Sequence, residues 1–311
     1  MLTPRGKRPD RRASRAGFSL IELMVVMMIL AVVMTSVMSI FVQQQRFYSG
    51  SAAIMETRSS TRDAAYVLQS EMRALSPESG DILAMGAGFI EFRSQTGASA
   101  VCTIDVSKTV LTVPPLNVAT EAALTSWLAP PAVGDTLLIF DAGTTGAGDD
   151  TWRIYTLTNT PAGGASCPNA TGLTTTGGEA AQGWTLRLDH ALTATTTVGA
   201  PIRFMRHARY ELYKESSGNW YLGYYDCVSS RSPKCSALQP IAGPYVAPNV
   251  AGTGGIVFTF RDSTGAVTAN TALVRQINVA ARAQPAIDIH IAGYKSGMIV
   301  DSMFTTIAPR N

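Results

Sequence analysis

One acidic side chain lies within a long apolar segment, where a partner of opposite charge is expected. Glu22 is the single charged residue of the apolar run from Phe18 to Val42. An ionised carboxylate inside a bilayer costs a few kcal/mol, so such a group normally has a counter-charge. The run has no lysine or arginine, but a cut after Gly17 would free the amine of Phe18. We predict that Glu22 pairs with that amine on a neighbouring subunit, which neutralises both charges and sets the register of assembly.

The apolar run itself predicts a membrane-spanning helix. Its 25 residues would extend about 37 Å as a helix, against a hydrocarbon core of about 30 Å. Six basic residues precede it and would keep residues 1–17 in the cytoplasm, with everything after Val42 outside. Residues 1–17 are called the leader here; the rest of the chain has 19 basic and 21 acidic residues. The basic excess is therefore a property of the leader, and no nucleic-acid partner is predicted.

Two simpler interpretations of the run remain open, an ordinary secretory signal peptide and a plain signal anchor. A signal peptide has a shorter apolar region of about 7–15 residues. Neither interpretation explains a carboxylate placed five residues into the run.

The residues Gly17-Phe18-Ser19-Leu20-Ile21-Glu22 resemble the signal of type IV prepilins and type II secretion pseudopilins. In that family a membrane aspartyl peptidase cuts after the glycine and methylates the new terminus. The resemblance implies cleavage between Gly17 and Phe18, N-methylation of Phe18 and an assembly role for Glu22. It also implies four partners: the prepilin peptidase/methyltransferase, other minor and major pilins, the inner-membrane assembly platform and the membrane itself.

Segments further along the chain resemble the PilW family of minor pilins and the related J-type pseudopilins. They are RDAAYVLQSEMR from Arg62, GDTLL from Gly134, RYEL from Arg209 and TTIAPRN from Thr305. This resemblance implies a minor pilin that primes, caps or builds a type IV pilus, with roles in adhesion, twitching motility or DNA uptake. The alternatives are a J-type pseudopilin of type II secretion and a membrane-tethered adhesin that does not polymerise. The expected location is the inner membrane, then a surface pilus or a periplasmic pseudopilus.

Helical periodicity continues beyond the membrane. Apolar residues recur at spacings of three, four or seven and end before Pro77. The members of this stripe are Phe47, Ile54, Thr61, Ala65, Leu68, Met72 and Leu75. We therefore divide the helix into an apolar half at 18–42 and an amphipathic half at 43–76, which would lie against a globular domain.

Residues 77–311 switch to short alternating segments that predict strands. The segments are 88–94, 101–107, 136–140, 152–158, 184–189, 202–214, 220–225, 256–262, 272–283 and 298–307. Because no strand alternates with a long helix, a parallel α/β sheet is disfavoured. The prediction is an α+β fold, a long helix on a mostly antiparallel β domain. A stretch at about 141–200 is interpreted as a loop-rich insertion.

Four cysteines fit two disulfides in an oxidising compartment. Cys227 and Cys235 are close enough to pair locally; Cys102 and Cys167 are the other disulfide candidates, and the sequence leaves the connectivity open. Four free thiols remain the alternative.

Catalytic patterns are missing from the sequence. The three histidines are widely separated, no Gly-x-Ser-x-Gly elbow accompanies Asp189-His190, and no phosphate-binding loop occurs. We expect no enzyme activity and no cofactor. Asp141, Asp149 and Asp150 share a glycine-rich loop and are a weak calcium candidate.

Overall fold

The computed structural model describes residues 19–115, 126–144, 148–174, 177–227, 235, 237–249, 253–286 and 299–310. Within them a long helix precedes a domain built of antiparallel strands, so the predicted α+β class is confirmed. The chain divides into two compact units. The first runs to Ala52 and the second begins at Ala53.

Helix α1 spans Leu20–Arg73, 54 residues. It contains no proline, and its one glycine, Gly50, does not interrupt it. It ends three residues before the predicted Ser76, and Pro77 opens a short 3-10 helix, Pro77–Ser79. Proline has no backbone N–H and a fixed φ, so it suits a first turn and cannot continue a helix interior.

The strands are β1 Ile82–Gly86, β2 Phe89–Ala100, β3 Thr103–Ile104, β4 Val110–Val113, β5 Ser126–Trp127, β6 Thr136–Asp141, β7 Thr151–Thr156, β8 Ala162–Ala165, β9 Gly183–Arg187, β10 Pro201–Lys214, β11 Trp220–Asp226, β12 Ala237–Tyr245, β13 Ile256–Arg261, β14 Gln276–Ala283 and β15 Asp301–Ile307. The other helices are α2, Gly177–Ala180, and 3-10 turns at Asn169–Thr171 and Thr271–Leu273.

The larger sheet has the order β1-β2-β10-β11-β12-β14-β13. Strand β15 joins β14, β5 joins β2, and the β6–β7 hairpin lies along β10. A second sheet has the order β3-β4-β9-β8. Every strand pairing within the described residues is antiparallel.

The part of α1 that lies in the second unit packs on the larger sheet through one face. Its buried side chains recur every three or four residues: Ala53, Thr57, Ser60, Thr61, Ala64, Ala65, Leu68 and Met72. Of these, Ala64, Leu68 and Met72 join a core with residues of β2, β10 and β14. Two hydrogen bonds fix the register, from Ser60 Oγ to Gly243 O at 2.7 Å and from Tyr245 Oη to Ser60 O at 2.7 Å. The predicted stripe is wrong at Phe47, whose side chain is exposed.

Residues 101–200 form an insertion that contributes strands to both sheets. Strand β2 ends at Ala100, paired with Pro201 at the start of β10. The N–H of Val101 also donates to Ala200 O at 2.9 Å, so residues 101–200 leave and rejoin a continuous strand pair. Strands β7, β8 and β9 lie inside the predicted 141–200 stretch, and a second core contains Val101, Leu111, Tyr155, Leu186 and Phe204. Pairing with strands distant in sequence, such as β9 with β4, orders these segments.

Candidate assembly helix

The start of α1 is defined by Ser19. The Ser19 carbonyl accepts a hydrogen bond from the Leu23 N–H at 3.2 Å, and its Oγ accepts one from the Glu22 N–H at 3.2 Å. Serine at the N-cap with glutamate at the third helical position is the pairing of a capping box. Glu22 therefore lies in the first turn, where the positive end of the helix dipole favours a carboxylate. Gly17 and Phe18 lie outside the described residues.

The helix that follows is apolar on every side. Among the described residues, α1 is the one helix long and apolar enough to cross a membrane. Its large side chains are exposed throughout, with Leu20 at 77% and Met28 at 68%. A surface of this kind requires a lipid or protein partner, because contiguous apolar patches of such extent are rare on soluble monomers.

The hydroxyl groups in this apolar half are satisfied by the helix backbone. Thr35 Oγ1 donates to Ala31 O at 2.7 Å, Ser36 Oγ to Val32 O at 3.0 Å, and Ser39 Oγ to Ser36 O at 2.8 Å. Unpaired polar groups are costly in hydrocarbon, and these three need no outside partner. These side-chain-to-backbone hydrogen bonds were not predicted, although threonine and serine residues in an apolar helix are a known sequence signal for them.

Glu22 is different from those hydroxyls. Its carboxylate makes no hydrogen bond or ion pair with any residue in the described part of the chain. Two buried acids elsewhere each have an arginine: Asp135 with Arg206 at 2.8 Å and Asp141 with Arg153 at 2.9 Å. The carboxylate at the start of the apolar helix is thus available to a group on another molecule.

The cysteines form two disulfides, Cys102–Cys167 and Cys227–Cys235. The first ties the start of the insertion to the segment after β8. The second closes a loop after β11.

Asp141, a member of the weak calcium candidate, is held by contacts within the protein. This side chain is buried and accepts hydrogen bonds from Arg153 Nε, Thr193 Oγ1 and the Gly143 N–H, so its oxygens are occupied. Asp149 accepts a hydrogen bond from the Thr144 N–H at 2.7 Å. Within the described ranges, no group of three or more histidine, cysteine or acidic side chains could hold a metal ion.

Two histidines sit in separate places on the domain. His190 Nδ1 lies 2.9 Å from Asp189 Oδ1, and the ring stacks on Tyr155. His207 Nε2 contacts Glu91 on the neighbouring strand β2 at 2.5 Å. His290 lies outside the described residues.

The family described as the prokaryotic N-terminal methylation motif matches residues 12–38. No curated protein and no solved structure matches the chain. The matched motif, the exposed apolar helix and the α+β fold together support a type IV pilin-like subunit that is anchored in a membrane by α1. The motif implies processing by a prepilin peptidase and assembly with other pilins.

Proposed function

We propose that the chain is a minor pilin of the PilW type, which joins other pilins to prime, cap or build a type IV pilus. One observation carries the proposal: a carboxylate without a partner in the described structure begins an apolar helix that is exposed on all sides. Cleavage after Gly17 would place the amine of Phe18 of one subunit where it could meet Glu22 of the next. The charges would cancel as the helices pack side by side.

In this proposal the chain performs no catalysis. The peptidase cuts and methylates it, the assembly platform adds it to the fibre, and the domain from Ala53 onward provides the outward surface. A J-type pseudopilin would use the same helix chemistry in a secretion system. The two could be separated by genomic context: neighbouring genes for pilus biogenesis would favour the pilus, and neighbouring genes for secretion would favour the pseudopilus.

Substitution of Glu22 tests the proposal against a tether that never polymerises. Glu22→Ala should leave membrane insertion and leader cleavage intact but reduce incorporation into sheared fibres by at least about tenfold. Ser39→Ala is a matched control, because this hydroxyl already bonds within its own helix. Normal incorporation of Glu22→Ala would contradict the proposal and favour the non-polymerising tether.

A further inference from the structure

A groove of about 400 Å³ lies in the second unit, between the last turns of α1 and strands β2 and β5. Small residues line the groove on both sides: Ala74 directly after helix α1, and Gly97 and Ala98 on β2. Polar groups line it as well, Ser70, Gln95 and Ser126 among them. Leu128 forms an apolar rim with 85% of its surface exposed.

Among the described residues, Glu71 is the one charged residue that lines this groove. Its Oε2 accepts a hydrogen bond from Ser94 Oγ at 2.7 Å. In the described part of the chain this carboxylate has no other hydrogen bond and no ion pair, unlike the arginine-paired Asp135 and Asp141. Glu71 therefore gives the described lining of the groove one negative charge, and its second oxygen has no hydrogen-bond partner among the described residues.

The negative charge also acts on the aromatic residues behind the groove. Burial, and after it the charge of Glu71, raises the pKa of Tyr224 to about 12. Burial and Glu71 raise the pKa of Tyr210 as well. A tyrosine is either neutral or anionic, so neither ring can offset the charge of the carboxylate.

We propose that this groove receives an arginine or lysine side chain of a partner protein. Its cationic head would meet the free oxygen of Glu71, where a charge-assisted hydrogen bond forms. Its aliphatic stem would lie along Ala98 and Leu128, as long basic side chains commonly do on apolar surfaces. A divalent metal ion fits poorly, because calcium takes six or more oxygen ligands and the groove offers one carboxylate.

The assignment does not depend on polymerisation through α1, since every lining residue follows Ala53. Experiments can therefore refute the proposal for the groove without refuting the proposed assembly function, and the reverse also holds.

The direct test uses the full chain in detergent micelles with N-acetyl-arginine amide as the probe. Its neutral analogue, N-acetyl-citrulline amide, has nearly the same shape without the charge. Amide NMR signals of Gln95, Ala98 and Ser126 should shift with the arginine probe and stay unchanged with citrulline. Glu71→Gln should weaken the arginine response at least about tenfold. Glu56→Gln, which alters an exposed acid on the same helix, should leave the response unchanged.

Gln95→Arg provides a second variant that keeps the carboxylate. Its guanidinium would occupy the groove from within and block the probe, and circular dichroism would verify that both variants are folded. Equal responses to arginine and citrulline, or an unaltered response in either variant, would overturn the proposal. Glu71-dependent self-association of the chain in ultracentrifugation would overturn the assignment to a different partner protein, because the occupant would be a second copy.

Discussion

The charge of Glu22 is subject to two opposite influences, one from the helix terminus and one from the apolar surroundings. Its backbone N–H bonds to Ser19 Oγ in the first turn, where the helix dipole favours its charge. The apolar surface that follows is suited to lipid, which disfavours the same charge. A basic group on another subunit would resolve this conflict. The sequence predicted that need because one acid stands out in an apolar run. The local cap was not predicted, although the Ser-x-x-Glu spacing is its sequence signal.

The cap makes Ser19 a testable residue. Ser19→Ala should raise amide hydrogen exchange in the first turn of α1, because loss of an N-cap typically costs about 1 kcal/mol. Exchange mass spectrometry on the full chain in micelles would measure it. Ser49→Ala is the matched control, since Ser49 Oγ bonds to Arg46 O in the helix interior. Equal exchange in both variants would contradict the assigned cap.

Asp141 gives a pH-dependent prediction. Hydrogen bonds from Thr195, followed by those from Arg153, Thr193 and Gly143, lower the pKa of this carboxyl below its ordinary value of 3.8. A carboxylate with a lowered folded pKa stabilises the protein above pH 3.8, and that stability is lost as the pH falls toward the folded pKa.

Asp141→Asn should therefore lower the free energy of unfolding by about 1–3 kcal/mol at pH 7. The difference from the natural chain should shrink as the pH drops below 3.8. Urea unfolding at pH 7, 5 and 3 would measure it. A difference that stays constant over this range would show that the charge of Asp141 is not responsible.

At the scale of elements, helix α1 was the most predictable feature. Its apolar run, its stripe from Thr61 to Met72 and its stop near Pro77 are all local signals. Strand β12 was missed because Pro240 and Pro244 argue against a central strand, yet it pairs along β11. The predicted strand 101–107 is reduced to Thr103–Ile104, since Asp105 Oδ1 accepts the Val110 N–H and turns the chain.

The contact of α1 with the sheet supports a mutational comparison. Leu68 is fully buried in the core, whereas Tyr66 on the same turn is 76% exposed. Leu68→Ala should lower the free energy of unfolding by about 2–5 kcal/mol through lost burial and a cavity. Tyr66→Ala should change it by less than about 0.5 kcal/mol. Chemical denaturation would measure both, and similar costs for the two variants would contradict the packing described for α1.

At the scale of the whole molecule, the fold class could be predicted because the hydrophobic pattern of the sequence is helical first and then alternates as in strands. The extent of the insertion did not, because it is defined by the pairing of Ala100 with Pro201 across a hundred residues of sequence. The groove at Glu71 was equally hidden, since β2 and β5 meet α1 there only through long-range contacts. Local patterns carry no information about such pairings.

The division at Ala53 predicts that the second unit folds alone. A fragment beginning at Ala53 retains both hydrophobic cores and both disulfides. It should remain soluble without detergent and unfold within about 2–4 °C of the full chain, a shift that corresponds to roughly 1 kcal/mol in a domain of about 150–250 residues. Circular dichroism would follow the transition. A fragment that aggregates or lacks a cooperative transition would contradict the division.

The central claim is that a processed α1 is the assembly element. The most direct test is mass spectrometry of the N-terminus of the chain isolated from cells. The account predicts a mature protein that begins at Phe18 with a methylated amine. An intact leader, or a terminus near residue 50, would contradict it, because no new amine would then exist beside the apolar helix to meet Glu22.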